Sequence, residues 1–346
     1  MSPYAFSMLI SSLSMGTVIT FISYHWFLAW VGLELNTLAI IPLMSKTHHP
    51  RATEAATKYF LMQAAASALL LFATTLNAWN TGEWTISYMQ NTAPTLMLMV
   101  ALMIKLAIAP FHMWLPDVIQ GLDLMTCLIL LTWQKLAPMT LLIQIGPELN
   151  STLLTTFGIL SIILGGWGGL NQPQIRKIMA YSSIAHLGWM TAVLTYSPQL
   201  TIFNLLLYLL MTTAMFFMLL NLTSTNINKM AISWMKYSSL TPTMMIILMS
   251  LGGLPPMSGF LPKWLILEEI VKQDMTLIAT IMAVSALLSL FFYLRLSYTT
   301  TLTTPPTLQN FKFLWQFNGF NHQMMSTMII ISTMLLPILP TILNLF

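Results

Sequence analysis

Eleven stretches of mostly apolar residues follow one another along this 346-residue chain, with little polar sequence between them. A helix needs about 20 such residues to cross the hydrocarbon core of a bilayer. Only 6% of the residues are charged, against about 25% in a typical soluble domain. The pattern therefore predicts an all-α polytopic membrane protein. The predicted spans are 3–22, 24–45, 53–79, 93–116, 122–146, 151–171, 174–195, 199–223, 239–271, 275–299 and 322–345.

The charged residues between these spans predict the orientation. If the N-terminus lies inside, the inner flanks carry nine basic residues and the outer flanks carry one, as the positive-inside rule requires. The inner residues are Lys46, Arg51, Lys58, Arg176, Lys177, Lys229, Lys236, Arg295 and Lys312; the outer ones are Glu83, Glu148, Lys272, Glu268, Glu269 and Asp274. We therefore expect the N-terminus inside and the C-terminus outside.

Several classes of protein are disfavoured by the remaining polar residues. The net charge is only +4 and no Lys/Arg cluster alternates with aromatic residues, so nothing predicts a nucleic-acid partner. The single cysteine, Cys127, excludes an internal disulfide and a CxxC metal site. The histidines have no metal-ligand spacing, and we expect no metal. The longest polar segment, 300–321, becomes aromatic towards its end; this predicts a stretch on the inner membrane surface or against a partner, with an ordinary loop as the alternative.

Four charged residues fall near the middle of predicted spans. They are Glu34, Lys105, Lys135 and Lys263. Each costs roughly 2.5–3.5 kcal/mol at a helix centre on insertion scales, so charges at such positions typically face a hydrated interior and serve ion transfer. The plainer alternatives are snorkelling, which Lys105 and Lys135 are placed too deep to achieve, and a structural ion pair between Glu34 and Lys105.

Lysine suits proton transfer for a chemical reason. Burial lowers the pKa of a lysine and a nearby carboxylate raises it, so a buried lysine can take up and release a proton near neutral pH, whereas arginine stays charged. An imidazole can also relay protons, which makes His186, in the middle of a span, a candidate, and His112 a weaker one. A packing role is the alternative for both histidines.

Two spans are predicted to be broken helices. Pro110 and Pro116 follow Lys105 in the fourth span, and Pro255, Pro256 and Pro262 precede Lys263 in the ninth. Proline removes a backbone donor, and irregular backbone at membrane depth survives only against protein or a water-filled cavity. Because the breaks lie five spans apart, the pattern predicts an inverted repeat, with halves at 1–146 and 151–299 and a final segment at 300–346 of a single membrane domain.

Five runs of residues carry a family resemblance that extends over essentially the whole chain. They resemble the chain 2 family of NADH:ubiquinone oxidoreductase, an antiporter-like membrane subunit of mitochondrial respiratory complex I related to cation/proton antiporter subunits. The runs are 30–34 (WVGLE), 52–60 (ATEAATKYF), 105–116 (KLAIAPFHMWLP), 176–186 (RKIMAYSSIAH) and 252–264.

The resemblance implies a fold of two inverted five-helix bundles, each with a broken helix, plus one C-terminal helix. The bacterial members have fourteen helices, so three are expected to be missing at the N-terminus here. Matched position by position, Glu34 is the helix-borne glutamate, Lys105 the broken-helix lysine, Lys135 the connecting lysine and Lys263 the terminal charged residue; His186 lies near the polar axis. The implied function is proton translocation along these residues through water.

The resemblance also implies where the chain works and with what. We expect it in the mitochondrial inner membrane, with the N-terminus on the matrix side and the C-terminus on the intermembrane-space side. Its partners would be other membrane-arm subunits of complex I, including sibling antiporter-like and accessory subunits, and membrane lipids such as cardiolipin. No cofactor is expected in this chain, because NADH, FMN, the iron–sulfur clusters and ubiquinone act elsewhere in the complex. A purely structural subunit and an independent cation/proton antiporter are the alternatives.

Overall fold

The computed structural model describes residues 2–89, 91–232, 240–301 and 323–334. These residues form helices and connections and no β-strand, which confirms the predicted all-α class. The helices are α1 (Pro3–Ile22), α2 (Trp26–Met44), α3 (Pro50–Thr81), α4 (Thr92–Leu106), α5 (Trp114–Gly121), α6 (Leu124–Leu131), α7 (Trp133–Ile145), α8 (Ser151–Gly169), α9 (Ile175–Val193), α10 (Pro198–Leu222), α11 (Ile227–Ile232), α12 (Leu240–Gly252), α13 (Phe260–Lys272), α14 (Thr276–Thr301) and α15 (Gln323–Met334).

Seven helical segments within the described residues are long and apolar enough to cross a bilayer. They are Pro3–Ile22, Trp26–Thr47, Pro50–Thr81, Leu124–Glu148, Ser151–Gly169, Pro198–Leu222 and Thr276–Thr300, while Thr92–Leu106 and Leu240–Gly252 are shorter apolar helices. The polytopic membrane architecture is thereby confirmed, and the count of eleven spans stays a prediction.

The chain divides into two compact units, Met1–Ser161 and Ile162–Phe346. The predicted halves at 1–146 and 151–299 stay a prediction. Beyond Thr301, the predicted inner-surface segment 300–321 lies outside the described residues, and so does the end of the last predicted span.

The first unit is organised by a close approach of α1 and α2. A Cβ added at Gly16 would lie 2.9 Å from the carbonyl oxygen of Gly32, and the reciprocal distance, from a Cβ at Gly32 to the oxygen of Gly16, is also 2.9 Å. Small residues let membrane helices approach until their backbones touch. Helix α3 packs against α2, α4 and α5, and α7 packs against α1 and α4, so the broken fourth span is enclosed by its neighbours.

The second unit has the same kind of close packing around α8 and α14. A Cβ at Gly165 would lie 2.8 Å from the amide nitrogen of Ala185 in α9, and one at Gly169 would lie 2.8 Å from the ring of Phe292 in α14. Residues 165–169 have the GxxxG spacing that is typical of closely packed membrane helices, and these short distances show such packing. Helix α10 packs against α9, α12, α13 and α15, and α14 packs against α12 and α13.

Candidate functional site

The fourth span is interrupted directly after Lys105. Helix α4 ends one residue later, and residues 107–113 form turns before α5 begins. The interruption starts at Ala107, whose φ of 59° is left-handed and cannot continue a helix. The indole Nε1–H of Trp114 donates a hydrogen bond of 3.2 Å to the carbonyl oxygen of Ile104, which also accepts the backbone N–H of Ala107 at 3.2 Å.

The ninth span is interrupted in the same manner just before Lys263. Helix α12 ends at Gly252, and Gly253 has a left-handed φ of 78°. After residues 254–259, α13 begins, and the ammonium of Lys263 in its first turn donates a 2.9 Å hydrogen bond back to the carbonyl oxygen of Gly252.

The five prolines singled out in the sequence occupy matching places in the two interruptions. Pro110, in a cis peptide bond with Ala109, and the pair Pro255 and Pro256 lie in the non-helical segments. Pro116 and Pro262 are each the third residue of the helix that follows. Proline is tolerated in a first helical turn because that N–H has no intrahelical partner.

A small cavity in the first unit is lined by both Lys105 and Lys135. Its volume is about 20 Å³, which exceeds the roughly 10–15 Å³ that one water molecule needs. Lys105 is 7% exposed and Lys135 4%. Further polar groups of the lining are Asn36, Thr37, Tyr59, Gln63 and Gln134. The described residues offer no hydrogen-bond partner to Nζ of Lys105 or to the amide group of Asn36, so the cavity presents unsatisfied donors and acceptors to a water molecule.

Glu34 belongs to the same cluster without forming an ion pair with Lys105. Its Oε2 accepts a 3.2 Å hydrogen bond from the hydroxyl of Thr37, which lines the cavity. Its Oε1 is buried and has no partner among the described residues. The carboxylate interacts electrostatically with Lys105, but no oxygen–nitrogen contact within 4.0 Å joins these two described side chains. The structural ion pair considered above is therefore not formed.

His186 and Lys263 are both buried in the second unit. His186 is 7% exposed and Lys263 is 8% exposed. The imidazole ring of His186 lies 5.5 Å, centroid to centroid, from the phenol ring of Tyr208 in α10. Lys263 is held at the broken helix by Gly252, as described above. Buried ionisable groups thus occur in both units, each beside interrupted or hydroxyl-rich helices.

Comparison with known proteins shows the family to which the chain belongs. A family described as NADH:quinone oxidoreductase/Mrp antiporter, TM, matches residues 23–289, and one described as NADH dehydrogenase subunit 2 C-terminus matches 290–343. The NADH-ubiquinone oxidoreductase chain 2 of Polypterus ornatipinnis is 54% identical over 346 residues, covering 100% of both chains. That of Squalus acanthias is 56% identical over 343 residues, covering 99% of both. The chain belongs to the NADH-ubiquinone oxidoreductase chain 2 family.

A solved relative of this chain 2 family member shows the same fold. A chain in the structure of respiratory complex I from Thermus thermophilus superposes with a TM-score of 0.83 at 26% identity, over 96% of this chain and 77% of that one. The resemblance drawn from the five sequence runs is confirmed.

One discontinuity in this family member was not predicted. The span 122–146 was expected to be one helix, but it is divided at Thr132, whose φ and ψ are −109° and −68°. The Thr132 hydroxyl bonds the carbonyl of Leu128 at 2.7 Å, a contact that bends helices. Pro138 in α7 also weakens the regular ladder. Lys135 therefore lies in the first turn of a half-helix, as Lys263 does. In the sequence, Thr132 and Pro138 were the residues that could have indicated this break.

His112 lies in the first interruption and not at the cavity. It is 3% exposed, and its Nδ1 has no hydrogen-bond partner among the described residues. It is absent from the cavity lining that contains both lysines. The structure thus brings Glu34, Lys105 and Lys135 into one cluster and leaves His112 outside it.

Two buried tyrosines near the predicted residues had been overlooked. Tyr208 and Tyr293 are 0% and 1% exposed. A tyrosine in an apolar run is usually read as packing, and nothing in the local sequence marks its hydroxyl as buried. Only the packing of α9, α10 and α14 reveals it. Within the part of the chain that the structure describes, no group of three or more His, Cys, Asp or Glu side chains could hold a metal ion.

Proposed function

We propose that the chain is a membrane-arm subunit of respiratory complex I and that its buried lysines transfer protons across the membrane. The observation that carries this proposal is the burial of three lysine ammonium groups, none more than 8% exposed, next to helix interruptions or a water-sized cavity. Hydrocarbon alone would not tolerate them, and such residues typically mark ion pathways.

The geometry around Lys105 favours transfer over a structural role. A lysine that only stabilised helix packing would be expected to have its donors paired, because an unpaired buried charge is costly. Nζ of Lys105 has no partner among the described residues, although Glu34 is near enough to interact electrostatically. This arrangement leaves the ammonium free to exchange a proton with water.

The cavity between Lys105 and Lys135 supplies the route in the first unit. A water molecule there would accept a proton from the ammonium of one lysine and pass another of its protons to the neutral amine of the other, so that one proton moves and the water is regenerated. Because Glu34 and Lys105 interact electrostatically, a change in the charge of Glu34 would change the electrostatic field at the Lys105 ammonium. A signal from a neighbouring subunit could act on the cluster through this pair.

The proposal also covers the place of electron transfer, the membrane and the neighbours of the chain. The redox chemistry, from NADH through FMN and iron–sulfur clusters to ubiquinone, takes place in other parts of the complex. The chain lies in the mitochondrial inner membrane, with its N-terminus in the matrix and its C-terminus in the intermembrane space. Sibling antiporter-like subunits, accessory subunits and lipids, cardiolipin included, cover its sides.

The test is to replace Lys105 or Lys263 by Met, which keeps the length of the side chain and removes its charge. Complex I carrying each variant is purified, reconstituted in liposomes, and assayed for NADH oxidation and proton translocation. We expect a normally assembled complex that moves fewer protons per NADH. Lys272→Met is the matched control, because Lys272 is exposed and paired with Glu268 and Glu269 on the surface.

Two outcomes would contradict the proposal. An assembled Lys105→Met or Lys263→Met complex with an unchanged ratio of protons to NADH would show that the lysines do not carry protons. Failure to assemble, with the ratio intact in whatever complex forms, would favour the purely structural alternative.

A further inference from the structure

A cluster of hydroxyl groups fills the interior of the second unit beside His186. Ser182 and Ser183 lie just before it on α9, Tyr208 faces it from α10, and Tyr293 comes from α14. All four hydroxyl-bearing residues are at most 1% exposed. Helices from three parts of the sequence thus direct hydroxyl groups to one buried place.

The members of this hydroxyl cluster form a connected series. The phenol ring of Tyr208 lies 5.5 Å from the imidazole of His186, and the Tyr208 hydroxyl lies near the side chain of Ser183. Tyr208 and Tyr293 are near enough to interact electrostatically, and the Tyr293 hydroxyl faces Ser182. The series runs from the imidazole through Tyr208 to Tyr293.

Within the cluster, the Tyr293 hydroxyl most clearly indicates a role beyond packing. Its hydroxyl is fully buried and makes no hydrogen bond of standard geometry among the residues that the structure describes. Buried polar groups are nearly always paired, so an unpaired one indicates a functional role or a bound water. A phenylalanine would fill the same space without leaving a polar atom unsatisfied.

Tyr293 also packs on the residue that holds Lys263. A Cβ added at Gly252 would lie 3.6 Å from Cδ2 of the Tyr293 ring, so the ring packs directly on this residue. The carbonyl of Gly252 accepts the hydrogen bond of the Lys263 ammonium. An ammonium has three donors, and this bond is the one found for Lys263 within the described residues. Its other donors can bind water.

We propose that Tyr293 and Tyr208 relay protons between Lys263 and His186. A proton released by the Lys263 ammonium passes through a water molecule to the oxygen of the Tyr293 hydroxyl, which gives its own proton onward. Tyr208 repeats the exchange, and the proton reaches a nitrogen of His186. Each hydroxyl ends neutral with a different proton, and no electrons are transferred. This inference rests on the proton-transfer function proposed above and names further groups that serve it.

The test removes one hydroxyl at a time in complex I that contains the full chain. Tyr293→Phe and Tyr208→Phe are compared with Tyr298→Phe, the same change on an exposed tyrosine of α14. We expect both buried variants to assemble and to translocate fewer protons per NADH. Tyr293→Phe, which loses only an unpaired hydroxyl, should melt at or above the wild-type temperature. A packing role alone would leave that ratio unchanged. Loss of a positioned proton-transfer group slows its step by about a hundredfold or more.

Two further variants make the result decisive. Ser182→Ala removes the hydroxyl that faces Tyr293 and leaves the Tyr293 side chain intact. It is expected to lower the number of protons translocated per NADH even if Tyr293→Phe fails to assemble. If the assembled hydroxyl variants keep the wild-type ratio while Lys263→Met lowers it, the relay is wrong and the proposed function stands. If Lys263→Met also keeps the wild-type ratio, both are wrong.

Discussion

The ammonium of Lys263 donates a 2.9 Å hydrogen bond to the carbonyl oxygen of Gly252, on the other side of a helix interruption. In a continuous helix that carbonyl would accept the N–H of the residue four positions later, but this residue is Pro256, which has none. The proline thus both ends α12 and leaves an acceptor for the lysine. The same hydrogen bond therefore satisfies the Gly252 carbonyl and one donor of the buried Lys263 ammonium.

We expect Gly253→Ala to disturb this contact. Gly253 has a φ of 78°, and an added Cβ would lie 2.9 Å from Nζ of Lys263. The left-handed backbone costs about 1–2 kcal/mol for a residue with a Cβ, and the methyl group would also push the ammonium away. Proton translocation per NADH should fall, as measured in liposomes. Gly82→Ala is the control, because Gly82 has a φ of 75° with nothing within 4 Å of an added Cβ. If both variants lowered the number of protons per NADH equally, the position of the Lys263 ammonium would not be the cause.

Thr37→Val should weaken the Glu34 end of the first cluster. The Thr37 hydroxyl lies 2.9 Å from the carbonyl oxygen of Glu34 and 3.2 Å from its Oε2, so the two acceptors share one donor. Valine keeps the shape of the side chain without that donor. A hydrogen bond to a charged group contributes about 1.5–3 kcal/mol, so the carboxylate should lose its fixed position and proton translocation should slow. Steady-state proton uptake measures this. Thr74→Val is the control, since within the described residues the buried Thr74 hydroxyl bonds only the carbonyl of Leu71 in its own helix. A wild-type rate in Thr37→Val would show that the hydroxyl does not position Glu34.

Much of the site follows from the sequence because the cost of burying charge is independent of the detailed fold. Lys105, Lys135 and Lys263 stand out in apolar runs whatever packs around them, and the prolines mark the interruptions next to two of them. The all-α architecture follows from the same composition.

The rest depends on contacts between distant parts of the chain. The cavity shared by Lys105 and Lys135 exists only once α4 and α7 pack together. Tyr208 and Tyr293 are 85 residues apart in the numbering, and their proximity cannot be read from either helix alone. At the division, the Thr132 hydroxyl contacts the carbonyl of Leu128, but Thr212 makes the same kind of contact to Tyr208 inside the unbroken helix α10. The threonine is therefore a weak signal for a break.

We expect Gly16→Ala to displace α1. The new Cβ would lie 2.9 Å from the carbonyl oxygen of Gly32 and would also clash with Oδ1 of Asn36, so the two helices would have to separate. Overpacking of this kind costs about 1–3 kcal/mol. The yield of assembled complex and its melting temperature should both decrease. Ser11→Ala, on an exposed position of the same helix, should change neither. A wild-type melting temperature in Gly16→Ala would contradict the close α1–α2 packing.

Trp114→Phe should loosen the first interruption. It removes the indole donor to Ile104, whose loss costs about 1 kcal/mol, and it also leaves space where the larger ring packs. We expect a lower melting temperature of the complex together with slower proton translocation. Trp79→Phe is the matched control, because Trp79 is 89% exposed. Loss of melting temperature with an unchanged proton rate would show that the bond is structural only.

The bond from Trp114 to Ile104 has a mechanical consequence. The seven residues between α4 and α5 would otherwise let the two half-helices move independently, but the indole ties the first residue of α5 to the position immediately before Lys105. A tilt or translation of α5 therefore displaces the last turn of α4, which carries Lys105. Trp114 thus couples the position of Lys105 to movements of α5 that begin outside the cavity.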